Sequence, residues 1–350
     1  MGFRYKRFAF RLVLTTCLLV LPILAQIDYN EVDYGVHPMS FNRFGTAGFQ
    51  FLKMPANARS AALGNITTVF TYTDANASLT NPATMVNVED IDVAFNRMNW
   101  VADISYQSGA LVKNFDKFGA VGVNFIYLNY GEMQRTEYLA ITDAIGNIIE
   151  TPVIDGLGTF SAYDMSMGIS YAKALYEKLE IGTCVRFIQE QLDDAGTSSW
   201  NFDVGSVYKT GFHSLRISML GKFFGPDAEF REYSGRIEKR PFPIKMPMNF
   251  AFGAGMEVLD KADSPHRLTV ATEYNHHNDG AEKINIATEY GFNQMVFLRG
   301  GYRFNYDEYG WTLGAGLNYN IKGKGLKVNW ALIDAGRFSI VQMFSISFHL

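Results

Sequence analysis

In the last third of the chain, apolar residues fall on every second position. Between 309 and 321, Trp311, Leu313, Ala315, Leu317, Tyr319 and Ile321 share one phase, and Thr312, Gly314, Gly316, Asn318 and Asn320 share the other. Period two is the repeat of a β-strand. A strand in a water-soluble sandwich turns its apolar face to a core, whereas a transmembrane barrel turns that face to lipid and its small polar face to a lumen. The alternation is compatible with both. Read with the turn signals, it predicts strands near 90–98, 103–113, 119–130, 160–174, 179–192, 199–210 and 213–224. A second set follows near 246–259, 266–277, 282–293, 295–305, 309–321, 326–335 and 339–350. These make fourteen, an even number, each about as long as a tilted membrane strand or slightly longer.

The apolar phase persists through Val121, Val123, Phe125 and Tyr127, through Met248, Phe250, Phe252, Ala254, Met256 and Val258, and through Leu326, Val328, Trp330 and Leu332. Two connections are long, 131–158 and 225–245, and both follow odd-numbered strands. They therefore share one side of the sheet, which matches barrels with short periplasmic turns and longer outer loops. Phe344, Ile346, Phe348 and Leu350 alternate with Ser345, Ser347 and His349, as in a closing strand. Closure into a barrel leaves no unpaired backbone in lipid.

The N-terminal residues supply an address. Arg4, Lys6, Arg7 and Arg11 precede an apolar stretch from Leu12, with Pro22 and a cleavage position after Ala25. Residues 1–25 read as a signal peptide, too short to span as a helix. Its removal takes four basic residues and moves the formal charge from -4 to -8. An acidic exported chain is no candidate for nucleic-acid binding. Only Cys184 remains afterwards, so neither a disulfide framework nor a cysteine metal site is expected. No run of eighteen apolar residues follows, so the 48 % hydrophobic content must be buried or lipid-solvated through strands. The expected class is all-β: a transmembrane antiparallel barrel of about fourteen strands in the bacterial outer membrane, over 90–350.

Before the first strand, 26–46 reads as a flexible lead and 47–89 as a compact hatch that enters the lumen. Asn57 can cap a helical turn from Ala58 to Leu63, which Gly64 can end in a left-handed conformation. Asn81 before Pro82 signals a turn. On the polar phase of the strands lie Asp164, Arg186, Asp203, Glu257, Glu273, Glu289, Arg299, Arg303 and Lys327. Their mixed signs point to paired charges that fix register and hold a plug, with an ion-selectivity site as the alternative.

The run Phe51, Leu52, Lys53, Pro55, Ala58, Arg59, Ala61, Ala62, Leu63, Gly64, Asp74, Asn81, Pro82 and Ala83 resembles the N-terminal signature of the PorV/PorQ family. Leu298, Arg299, Gly301, Tyr302, Gly310, Leu313, Gly314, Gly316, Asp334, Phe344 and Ser345 resemble its C-terminal run. That family belongs to the wider group of FadL-like fourteen-stranded barrels. The chain departs from the pattern at Asn65, where a second glycine often follows Gly64. The resemblance implies a role in the type IX secretion system, delivering or attaching exported cargo. The hatch motif would then be Phe51, Leu52, Pro55, Arg59, Gly64, Asn81 and Pro82.

Enzyme chemistry finds little support in the residues. His276 and His277 lie near Glu273 and Asp279, but on a strand Glu273 and His277 share one face and His276 takes the other. Extracellular turn residues are the simpler reading, with no metal, catalytic residue or cofactor expected. The glycine pairs Gly253 and Gly255, and Gly314 and Gly316, fall two apart on one face and relieve crowding in a lumen rather than cradle phosphate. Tyr309, Trp311, Tyr319 and Phe338 would supply interfacial girdles.

Two functions follow. The first is a non-enzymatic component of protein export or surface attachment, with secretion proteins and cargo engaged through loops 131–158 and 225–245. The second loop mixes Asp227, Glu229, Arg231, Glu232, Arg236, Glu238, Lys239 and Arg240 with Phe230, Tyr233 and Phe242, a composition suited to a protein surface. The alternative is a FadL-like transporter of small hydrophobic molecules, which needs an apolar pocket and an opening in the wall where a strand kinks. Mostly charged or small inward residues favour the first reading. Apolar inward residues clustered near the hatch would reverse that preference.

Overall fold

The structure, a computed structural model, describes residues 45–138, 141–142, 148–150, 153–154, 157–229, 243–260, 264–321 and 324–350. The expected signal peptide, most of the lead, and parts of both long loops lie outside the described residues.

Fourteen antiparallel strands among the described residues close into one barrel. They are β1 (Ile91–Asn99), β2 (Ser105–Asn114), β3 (Ala120–Gln134), β4 (Thr159–Tyr176), β5 (Leu179–Leu192), β6 (Ala195–Lys209) and β7 (Arg216–Phe224). The second half comprises β8 (Asn249–Asp260), β9 (His266–His277), β10 (Lys283–Phe292), β11 (Val296–Phe304), β12 (Trp311–Ile321), β13 (Lys324–Asp334) and β14 (Ile340–His349). Each strand pairs with its sequence neighbours, and β14 returns to β1 with Ile346 opposite Phe95. Closure in sequence order leaves no free sheet edge.

The alternation sets which face points out. Ile169, Val185 and Phe202 form one cross-strand row, and all three are exposed on the barrel wall. Val121, Val123, Phe125, Phe250, Phe252, Leu313 and Leu317 are exposed likewise. An exterior of this kind is stable only against acyl chains, which places the barrel in an outer membrane. Tyr319, Trp311 and Phe338 are exposed near strand ends as a girdle requires, whereas Tyr309 turns inward and packs against Trp100 with ring centroids 6.0 Å apart.

The two long connections, β3 to β4 and β7 to β8, leave the same end of the barrel, as expected from their odd parity. There β4 is the longest strand at 18 residues, and 137–138 pairs with 153–154 beyond β3 and β4.

Candidate functional site

The lumen is filled from within by the segment ahead of β1. Asn57 accepts a hydrogen bond from Ser60 N through Oδ1 at 2.9 Å and starts the helix α1, Ala58–Ala62. The turn ends at Gly64, which has φ +64°, and Asn65 continues left-handed at φ 60°. Two successive positive φ values explain why glycine suits both positions, and asparagine is among the few other residues that tolerate this conformation. Asp74 caps a short 3-10 turn at Ala75–Leu79, and Asn81 caps another at Pro82–Asn87, with its Oδ1 accepting from Ala83 N at 3.1 Å.

Packing locks these turns in place. Phe49, Phe51, Leu52, Leu63, Ile66, Phe70 and Leu79 are all buried. Each fully buried side chain of this size contributes about 1.5–3 kcal/mol. Against them stand barrel residues that face inward: Met98, Tyr106, Ile126, Leu128, Ile188, Phe223, Ile333 and Met343. The inward set is therefore not mostly charged or small, as the alternation had led us to expect. Strand parity assigns a side, but it does not say how large a residue the lumen accepts once a plug fills it.

The plug presses hardest where the wall is glycine. A Cβ added at Gly182 on β5 would collide with the backbone of Pro82 and Ala83, so that turn lies directly on the sheet. Gly253 and Gly314 meet Thr68 and Ala62 of the plug, while Gly316 makes room for Arg299.

Of the nine charges expected in the lumen, seven are buried, Glu257 nearly so and Lys327 partly, but they form separate clusters rather than one network. Arg59 donates to Glu289 through Nε at 2.9 Å and Nη2 at 2.8 Å, and Arg299 Nε donates to the same carboxylate at 2.7 Å. The Arg59 guanidinium also lies over the Tyr72 ring at 4.9 Å and donates to Thr71 O. Glu273 accepts from Thr67 N, Thr68 N and Thr68 Oγ1. Glu257 pairs with Arg216 at 2.8 Å. Among the described residues Glu273 has no ion pair, and two further expected charges have none: Asp164 accepts from Tyr130 Oη at 2.7 Å, and Arg303 packs over the rings of Tyr306 and Tyr309. Lys327 reaches Thr73 O at 2.7 Å and Asp74 at 3.5 Å. Glu273 and Lys327 thus bind the plug, and Glu289 ties the plug to β11.

The remaining pair shapes the wall. Arg186 Nη1 donates to Asp203 Oδ2 at 2.5 Å, and Asp203 Oδ1 accepts from Phe223 N at 2.8 Å. Phe223 has φ 63°, an outlier for a bulky residue, and the β6–β7 register shifts between Phe202 and Val204. Beside this kink the outer wall is hollowed into an apolar groove of about 720 Å³, lined by Ile181, Val204, Met219, Phe224, Phe250 and Phe252. Gly182 and Gly205 also line it, and on the lumen side they touch Pro82, Ala83 and Asn81. One layer of backbone separates the groove from the plug.

His276 and His277 do not converge. His276 Nδ1 meets Glu282 at 2.6 Å, while His277 is buried on the inward face. The groove was not anticipated from sequence. The available signal was glycine inside an alternating strand, at Gly182 and Gly205, which marks a close backbone approach.

No family profile matches the chain, and no curated protein matches its sequence. Among solved structures it is similar to the toluene transporter TodX of Pseudomonas putida, at 12 % identity and TM-score 0.53, over 83 % of this chain and 96 % of that one. The toluene transporter TbuX of Ralstonia pickettii follows at 13 % identity and TM-score 0.52, with the same coverage. A Pseudomonas aeruginosa FadL homologue gives 10 % identity and TM-score 0.50, over 84 % and 97 %. The fold is that of a FadL-like barrel. TodX and TbuX are described as toluene transporters.

Proposed function

We propose that this barrel passes small apolar molecules across the outer membrane, by way of the plugged lumen and the groove in its wall. The observation that carries the reading is the 720 Å³ apolar hollow separated from the Asn81, Pro82 and Ala83 turn by one layer of backbone. An apolar solute gains about 25 cal/mol for each Å² it hides from water, so a dry route from lumen to acyl chains avoids the aqueous periplasm. The bulky inward residues around the hatch support the same reading, since they supply the apolar surroundings that a charged lumen would deny. The fold shared with toluene transporters agrees with it.

The test is uptake of radiolabelled toluene by cells bearing the protein or its Val204→Trp variant. The substitution fills the groove from the lipid side, where Val204 is exposed. Uptake should fall several-fold with the barrel still folded; equal uptake by both proteins removes the groove from the route.

A second reading retains support from the PorV/PorQ-like wording, whose residues Phe51, Leu52, Pro55, Arg59, Gly64, Asn81 and Pro82 all belong to the plug. In that reading the barrel is a component of type IX secretion, and the loops over 131–158 and 225–245 engage secretion proteins and cargo. Affinity purification from native membranes separates the two. Recovery of secretion proteins supports export, and recovery of a bound hydrocarbon supports transport.

A further inference from the structure

A second cavity lies apart from the groove, at the end of the barrel that carries the long loops. Its volume is about 320 Å³, at the small end of the ~300–1,000 Å³ typical of ligand sites. The plug contributes Gln50 and Lys53, the end of β9 and the following turn contribute His277 and Asp279, and Lys283 and Asp307 complete it. The apolar route described above uses none of these side chains.

Hydrogen bonding inside the cavity is only partly complete. Asp279 is fully engaged: Lys53 Nζ lies 2.5 Å from Oδ1 and 2.6 Å from Oδ2, and Gln50 Nε2 donates to Oδ2 at 2.7 Å. His277 is 8 % exposed, and its Nδ1 is buried with no hydrogen-bond partner. Lys283 Nζ lies 4.2 Å above the Tyr306 ring, with no carboxylate in salt-bridge reach among the described residues. Asp307 is exposed at the rim. His277 Nδ1 has almost no accessible surface, so the open positions on the lining are those of Lys283 and Asp307.

The charges limit what that ligand is. Two ammonium groups, Lys53 and Lys283, face two carboxylates, Asp279 and Asp307, so the lining is neutral overall. A phosphate or carboxylate would meet Asp307 and Asp279 with like charge, and an ammonium would meet Lys283 and Lys53. Hydroxyl groups suit both open positions, because each both donates and accepts: they accept from Lys283 and donate to Asp307. We propose that this cavity binds a neutral polyhydroxylated ring, either a free sugar or the glycan of a surface glycolipid.

Calorimetric titration of the full-length barrel in detergent, with four ligands, tests the proposal: glucose, deacylated lipopolysaccharide core oligosaccharide, inorganic phosphate and ethylamine. A sugar should bind, and Lys283→Met and Asp307→Asn should each weaken it about tenfold, the scale of one charge-assisted hydrogen bond. Lys117→Met, at the opposite end, should leave binding unchanged, and heat-modifiable gel migration checks that each variant is folded. Binding of the oligosaccharide alone assigns the glycan to a surface glycolipid, and binding of glucose as well assigns it to a free sugar. Binding of neither sugar, tighter binding of phosphate or ethylamine, or sugar binding untouched by both substitutions overturns the proposal.

Discussion

The carboxylate of Asp203 on β6 accepts the backbone N–H of Phe223 on β7 at 2.8 Å, at the point where β7 leaves regular strand geometry. The kink therefore has an identifiable support. Arg186 holds the other oxygen of Asp203, and both charged side chains are essentially inaccessible to solvent.

Asp203→Asn should leave the Arg186 guanidinium buried without its anion, at a cost of about 3–5 kcal/mol. The loss is read as a lower urea midpoint for the folded barrel. A change below about 1 kcal/mol would mean that the pair does not support the kink.

Glu289→Gln strips both Arg59 and Arg299 of their shared acceptor charge. Because Arg59 belongs to the plug and Arg299 to β11, the plug should loosen while the strands stay paired. The expected penalty is again about 3–5 kcal/mol. Single-channel recordings should show more frequent opening in the variant, and an unchanged closed barrel would argue against a locking role.

Val185 lies mid-strand on β5 and faces outward between Ile169 and Phe202. Val185→Lys should cost about 2–4 kcal/mol, the range for a cation on the lipid face near the bilayer midplane. Refolding into phosphatidylcholine vesicles measures it. A neutral result would mean that this face does not contact acyl chains.

The contact between plug and turn at Lys53 and Asp279 should respond to pH on the acid side. Burial alone would raise the Asp279 carboxyl, but hydrogen bonds from Lys53 and Gln50 hold it below its ordinary 3.8. Burial lowers Lys53 below its ordinary 10.5 despite the same partner. A depressed carboxyl contributes stability that is complete above its ordinary value and lost as pH falls through the lower folded value. A lysine depressed by burial binds its proton more weakly in the closed contact than when free, so its deprotonation on the alkaline side does not favour opening. The contact should hold through neutral pH and open as the pH falls below 3.8. A spin label at Met54→Cys reports its mobility, and a transition near neutral pH would contradict this assignment.

Much of this architecture was readable from the chain. The outward row of Ile169, Val185 and Phe202 follows from period two, because successive side chains of a strand point to opposite faces whatever surrounds them. The Asn57 cap and the left-handed end at Gly64 are equally local, fixed by one side-chain acceptor and by backbone freedom. The two long connections leave one end because parity alone decides it.

The tertiary structure decided everything that depends on residues far apart in sequence. Which carboxylate receives Arg59, 230 positions from Glu289, follows from how the plug seats in the lumen. Alternation marks Asp164 and Arg303 as inward but cannot give them partners, and closure gave one a tyrosine hydroxyl and the other two aromatic rings. The lumen accepts residues as large as Ile126, Leu128 and Phe223 because a plug covers them, and the groove exists because β7 kinks beside two glycines that the plug touches. Periodicity is a property of neighbours in sequence and so survives in the sequence, whereas pairing, kinks and cavities arise only when distant segments meet.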